Sequence, residues 1–298
     1  MQMENAKQRV RDFYDEVGWV QDADGLFQNA RFEDLRPISR EYIHKCHLRV
    51  KRHIVRDGDY LLDAGSGPLQ WPEYLTYSEG YRFRVCADIS ITALRAARRK
   101  LKKRGLYIVA DIANLPFRSG SFDGAVSIHA IHHLPVEEQK RAFLELHRML
   151  KPGRAGVVVN GWYRPLLMRL ADPLIQLGRL LSGRSPKRKK SWTQQAQPEG
   201  TFVQKMTPRH LKRELAGAVP YEIRAWRSLS PRFMQWFIRP GLAGRTVLSL
   251  IYRLEDAFPR FFGLYGQYPM IVLHKTAETG GAWGSAAESG ERSIARAS

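Results

Sequence analysis

The sequence predicts an α/β fold, a mostly parallel sheet with helices on both faces, and three observations carry the prediction. From residue 59 onward short apolar runs alternate with helical stretches. One of those runs ends in a glycine-rich turn, LLDAGSGP at 61–68. The chain has 298 residues, 44% of them hydrophobic, which suffices to bury a large core. Strands alternating with helices argue for right-handed βαβ units, because a parallel pair needs a crossover long enough to return across the sheet face.

Taken in order, residues 4–17 and 38–54 repeat apolar groups at helical spacing (Val10, Phe13, Tyr14, Val17; Tyr42, Ile43, Cys46, Val50, Ile54). They make up an N-terminal helical segment, 1–58. The core, 59–162, holds the strands YLLDAG (60–65), FRVCAD (83–88), LYIVAD (106–111), FDGAVSI (122–128) and AGVVVNGW (155–162), with helices at 92–105 and 136–150. Residues 163–206 read as a helical insertion and a basic linker. Asp172-Pro173 resembles an N-cap followed by proline at the first helical position, opening a helix that runs through Leu181. The linker SGRSPKRKKSWTQQAQPEG is expected to be mobile. In 207–275 a capped helix (207–216) precedes two last strands, YEIRAWRSL and YPMIVLHK, separated by an aromatic-rich insertion at 231–266. The tail 276–298, rich in Gly, Ala and Ser, is expected to be disordered.

Composition limits the function classes. No apolar run reaches the length of a membrane span, since Arg164, Arg169, Asp172 and Arg179 interrupt the greasiest stretch. The first residues lack the apolar core of a secretory signal. Cys46 and Cys86 alone make neither a disulfide framework nor a zinc site and fit a reducing cytoplasm. The formal charge is +19, of which +14 lies within residues 163–275. That surplus points to an anionic partner, an RNA or an anionic membrane surface, and speaks to association rather than to fold.

The chemistry is written in the turn after the first strand. In Asp63-Ala-Gly65-Ser-Gly67 the glycines allow a tight bend and close approach of a ligand to the backbone. Asp88 ends the second strand 25 residues after Asp63, where a carboxylate can accept both hydroxyls of a ribose, and Asp111 ends the third. A dinucleotide site calls for a third glycine where Gln70 stands, which argues against NAD. A ligand with adenine and ribose but no pyrophosphate, such as S-adenosylmethionine, tolerates Pro68, Leu69 and Gln70 there.

With LLDAGSGP, CADIS, VADIANLPFRSGSFD, AVSIHAIHHL and LHRMLKPG in this order over residues 59–161, the chain resembles the class I S-adenosylmethionine-dependent methyltransferases, in particular the group with a type 11 methyltransferase domain. The resemblance implies a Rossmann-like seven-stranded, mostly parallel sheet of order 3-2-1-4-5-7-6 with strand 7 antiparallel, that strand being YPMIVLHK. It implies S-adenosyl-L-methionine as cofactor and methyl transfer by in-line displacement, with no metal. By the same resemblance Asp63, Gly65 and Gly67 line the methionine end, Asp88 holds the ribose and Ile89 packs on the adenine. Asp111 and Ile112 meet the adenine edge, and Ser127, Ile128 and His129 lie near the sulfonium. The family often has glycine where this chain has Leu69.

His129, His132 and His133 form H-x-x-H-H. A metal site would need further Cys, Asp or Glu ligands, which the neighbourhood lacks. As a general base His129 is preferred, being nearest the strand end; the alternative is that His132 and His133 only brace the loop. Tyr14 is either a lid residue over the cofactor or an aromatic packed on the core. Trp236 and Phe237, with Phe258, Phe261, Phe262 and Tyr265, are candidates to line a pocket for a large apolar acceptor, the alternative being an ordinary lid. A leucine stripe (Leu166, Leu167, Leu170, Leu174, Leu177, Leu181) with Arg164, Arg169 and Arg179 off it and Lys187 to Lys190 after it suits an anionic membrane surface, the alternative being an ordinary lid with a solvated basic face. The favoured acceptor is therefore a small-molecule or lipid-like compound, handled in the cytoplasm, with the inner membrane surface as a candidate location. The alternative is a tRNA methyltransferase of the wobble-uridine type, to which SIHAIHHL is also similar.

Overall fold

The structure is a computed structural model that describes residues 2–21, 23, 25–182 and 201–277. The chain begins with helix α1 (Gln2–Phe13), a wide turn at Tyr14–Gly18 and helix α2 (Arg40–Leu48). Strand β1 (Asp57–Ala64), the short α3 (Pro72–Leu75), β2 (Gly80–Asp88) and α4 (Ile91–Leu101) follow. Then come β3 (Gly105–Val109), β4 (Gly124–Ile128), α5 (Val136–Met149) and β5 (Ala155–Val159). Helices α6 (Leu166–Ser182) and α7 (Pro208–Leu215) lead to β6 (Tyr221–Arg227). Helices α8 (Pro231–Phe237), α9 (Gly244–Ala257) and α10 (Pro259–Tyr265) separate it from β7 (Tyr268–His274).

The seven strands lie in the order β3-β2-β1-β4-β5-β7-β6, and β7 runs antiparallel to both of its neighbours. The central strands are apolar on both sides because helices cover both faces. Leu62, Val158 and Ile271 pack toward Phe143, Leu146 and Leu211 on one face. Leu61, Val126, Val157 and Val272 pack toward Val50, Tyr77 and Trp226 on the other. A separate cluster ties α2 to the insertion through Tyr42, Ile43, Met234 and Leu248.

Several boundaries differ from expectation: the helix expected over 38–54 ends as an α-helix at Leu48, that over 92–105 at Leu101, and the strand over 155–162 at Val159. Helix α6 starts at Leu166, so Asp172-Pro173 lies inside it rather than at its start. Pro165 supplies the stop and start: its carbonyl accepts from Met168 and Arg169, and Pro173 costs that helix one amide donor. The first predicted helix stops at Phe13, where the backbone widens into the turn that carries Tyr14. The expected mobile linker, including Lys187 to Lys190, and most of the expected disordered tail lie outside the described residues. Among the described residues no helix is long and apolar enough to cross a membrane.

Candidate active site

The loop after β1 holds its shape through backbone geometry. Gly65 and Gly67 have φ of +72° and +54°, and Leu69, where glycine would be easier, sits at +52°. Left-handed geometry costs a leucine about 1–2 kcal/mol; its side chain is fully buried with Cys86, Leu94 and Ala97, which offsets that cost. A Cβ on Gly65 would collide with that of Ala130. The Gly65 amide donates to the Ala87 carbonyl at 2.7 Å, pinning the loop to β2.

Asp88 is the acid this loop is built around. Its Oδ2 accepts from the Gly67 amide and its Oδ1 from the Ser90 amide, both at 2.8 Å. Ser90 in turn caps α4 by accepting from Ala93. Burial outweighs these two bonds and pushes the Asp88 pKa up to about 6. A carboxylate so placed has lone pairs left over and gains from further donors.

Asp63 departs from expectation. It does not line the recess: its Oδ2 accepts from Arg84 Nε at 2.9 Å and Nη2 at 2.5 Å inside the sheet. Both side chains are almost wholly buried. Arg84 also donates to the Tyr74 carbonyl. The arginine lies within an otherwise apolar strand, and Asp63 on the neighbouring strand is the countercharge that makes its burial possible. Ser127 also points away, buried with its hydroxyl unpartnered.

The remaining predicted cofactor residues come together. Gly65, Gly67, Asp88, Ile89, Asp111, Ile112 and Ile128 all line one recess at the carboxyl ends of the strands, about 910 Å³ counted out to its open mouth. This is where open α/β sheets present ligand sites. Helix α1 closes over it: Lys7 donates to Asp111 Oδ2 at 2.5 Å and also pairs with Glu138. Asp111 Oδ1 accepts from the Ala113 amide at 2.9 Å.

Tyr14 stands on the wall of this recess, its ring stacked on Trp19 at 4.8 Å. Gly18 leaves room for it, since a Cβ there would strike the Tyr14 ring. His133 Nδ1 lies 2.8 Å from the Phe202 carbonyl, which can only accept, so Nδ1 carries the proton. Nε2 is then an acceptor, and the Tyr14 hydroxyl donates to it at 2.8 Å. His132 Nδ1 lies 3.1 Å from Asn160 Oδ1. His129, at φ +57°, is held by ring contacts to Trp226 (5.1 Å) and Tyr268 (5.4 Å).

Burial keeps all three histidines neutral. It lowers the pKa of His129 to about 3, with Arg227 adding to the effect, and that of His133 to about 4. His132 falls well below the usual histidine range, again through burial first. Among the described residues no group of three or more His, Cys, Asp or Glu side chains is arranged to hold a metal ion.

A second chamber, about 1510 Å³ to its mouth, shares Tyr14, Trp71, Tyr74, His129 and His133 with the first and adds His132. Its other walls are Phe13, Phe32, Trp226 and Tyr268, with Arg227 and Lys205 as cations. Trp236 and Phe237 are not among its lining residues. They lie on α8, Phe237 against Phe233 at 4.8 Å and part-exposed, because Met234 is the side of α8 that turns inward. Phe258, Phe261 and Tyr265 face solvent. Arg227 is buried, donates to Glu33 Oε1 at 2.6 Å and keeps Nε unpartnered. Lys205 has no ion pair among the described residues, and burial of its ammonium lowers its pKa. Sequence reasoning missed these lining residues; one available signal was the charge of Arg227 at the end of an apolar strand.

Residues 62–158 match the family model described as a methyltransferase domain. The tRNA (carboxymethyluridine(34)-5-O)-methyltransferase of Arabidopsis thaliana is 30% identical over 143 residues, 42% of this chain and 33% of that protein. The 2-phytyl-1,4-naphtoquinone methyltransferase of Nostoc punctiforme is 30% identical over 126 residues, 40% of this chain and 53% of that one. The chain spans about half or less of the length of the curated relatives it matches. Among solved structures, geranyl diphosphate C-methyltransferase from Streptomyces coelicolor A3(2) shares the fold, with a TM-score of 0.54 over 91% of this chain and 98% of that one, at 14% identity.

Proposed function

We propose that the chain, whose residues 62–158 match a methyltransferase-domain model, is a class I, S-adenosylmethionine-dependent methyltransferase of a small, largely apolar acceptor that carries an electron-rich or anionic group. The observation that supports this most is the pair of adjoining cavities with a common wall at Tyr14, His129 and His133. One cavity offers strand-end carboxylates, the other aromatic walls, the Arg227–Glu33 pair and the cation Lys205.

The donor set of the first cavity fits S-adenosylmethionine. Asp88, raised toward 6 and still able to accept, suits the two hydroxyls of a ribose. Ile89 and Ile112 offer apolar faces to an adenine, and Asp111 an acceptor for its amino group. S-adenosylmethionine brings a methyl group already activated on a cationic sulfur. The protein's part is alignment and the exclusion of water. Three desolvated, neutral imidazoles add no positive charge that would repel such a sulfur.

The same depressed pKa values make His129 and His132 weak bases, so they take a proton only from an acceptor that gives it up readily. An acceptor that arrives ionised needs no base, and Arg227 and Lys205 favour that form. His133, with both nitrogens engaged, serves to hold Tyr14 in place. The buried free cysteines fit work in the reducing cytoplasm.

The tRNA reading rests on the Arabidopsis relative and on the basic surplus in residues 163–275. One experiment separates the two. Titration with S-adenosylhomocysteine should show one site per chain, and labelled methyl should pass from the cofactor into the organic-soluble fraction of a cell extract. Absence of cofactor binding overturns the methyltransferase reading for the chain, and label in RNA overturns the small-molecule acceptor.

A further inference from the structure

Helix α9 has two apolar faces. Leu248 and Ile251 turn toward α2 and its neighbours. Val247, Leu250 and Leu254 fall within about 60° of one another on a helical wheel, centred about a quarter turn from that inward pair. Leu250 is 57% exposed, and Val247 and Leu254 are also exposed. The stripe continues onto α10, where Phe258 is 59% and Phe261 49% exposed and Tyr265 is exposed as well. Six large apolar side chains thus recur at steps of three or four residues, each leaving more than a third of its surface exposed among the described residues. Exposed apolar surface of this extent marks an interaction site.

The charges around the stripe indicate what covers it. The insertion 231–266 contains five arginines and two acids, Glu255 and Asp256. Only Glu255 is taken up inward, while Asp256 is exposed but paired with cations of the N-terminal segment. Glu255 is buried and accepts from Tyr42, Arg49 and Ser228. Asp256 pairs with Arg49 and Arg52. The charge left to face outward is cationic, with Arg253 flanking the stripe and Arg260 on α10. An anionic bilayer would meet these arginines with phosphates while taking up the apolar stripe.

We propose that the outer face of α9 and α10 docks on an anionic phospholipid surface, the apolar stripe entering the boundary between headgroups and acyl chains and the arginines meeting lipid phosphates. This location differs from the leucine stripe on α6 that the sequence suggests, and it stands independently of the methyl-transfer reading. The test is co-sedimentation of the full chain with vesicles of equimolar phosphatidylglycerol and phosphatidylcholine, against phosphatidylcholine alone. Pelleting with the anionic vesicles, at least tenfold weaker with the neutral ones and about tenfold weaker in the double variant Leu250→Glu, Phe258→Glu, supports the proposal. Both positions are exposed and lie outside the two cavities, so the thermal unfolding midpoint of the variant should match that of the parent chain and serves as the folding control. The proposal is overturned if the parent chain stays in the supernatant, or if the double variant pellets equally. It is also overturned if sedimentation velocity shows a dimer that the double substitution abolishes, since the face then belongs to a second copy.

Discussion

The two cavities are built by opposite means. The first is walled by strand ends and backbone: Gly65, Gly67, Asp88 and Asp111 all stand where the sheet topology must put them. The second is walled by side chains from Phe13, Phe32, Trp71, Lys205, Trp226 and Tyr268, segments far apart in the chain. What the fold dictates is an acid at the end of β2, beside the turn after β1. What packing dictates is the shape and charge of the second chamber.

Acidification should separate the two most strongly. Histidines of the chamber side titrate near 6.5 when unfolded and far lower when folded, so their contribution is present above 6.5 and lost as pH falls. Between pH 7 and 5 His129 and His133 each cost about 2 kcal/mol, and His132 acts in the same direction. Asp88 works in the other direction: its raised folded pKa means that stability is gained as pH falls through 6, about 1 kcal/mol by pH 5. Urea unfolding should therefore show a net loss of at least about 3 kcal/mol. An unchanged midpoint between those pH values would mean that the histidines are hydrated rather than buried.

Next in size is Asp63→Asn, which leaves Arg84 buried without its countercharge and should cost about 3–5 kcal/mol. If Asp63 belonged to the ligand recess instead, the variant would keep its stability and lose affinity, which would break the assignment. Asp88→Ala should do the reverse in kind: two or more hydrogen bonds to a charged group are lost, about 3 kcal/mol or a hundredfold in S-adenosylhomocysteine affinity. The chamber should stay intact, as judged by an apolar fluorescent probe bound there. Smallest is Tyr14→Phe, which removes the hydroxyl that His133 accepts and should cost about 1 kcal/mol of stability by thermal unfolding. A larger effect on turnover than on cofactor affinity is expected, because the residue faces both cavities.

Much of the sheet and most of the first cavity can be read from the sequence because period and glycine geometry are local. Asp88 and Asp111 follow from strand ends alone. Asp63 misleads for a non-local reason: its partner is Arg84, and only the register of β1 against β2 brings them together. That arginine amid FRVCAD was itself a signal, since a cation inside a buried strand requires an acid nearby. Trp236 and Phe237 mislead differently. Aromatic content announces burial somewhere, but which face of a short helix turns inward is decided by the neighbours, here those around Met234. Trp71 and Trp226 escape for the same reason in reverse. Leu69 shows the limit of motif comparison: the chain keeps the glycine-like backbone without the glycine, because a buried leucine anchors the turn from below.

The missing Cβ of Gly65 has a mechanical consequence. Ala130, the residue that fills the space, sits between His129 and His132. The turn that borders the first cavity and the loop that carries the histidines therefore bear on each other at a single close-packed point, with no slack to absorb a shift. A displacement of one loop is transmitted to the other as through a pivot. Any side chain larger than hydrogen at position 65 would therefore press on the histidine loop as well as on the turn.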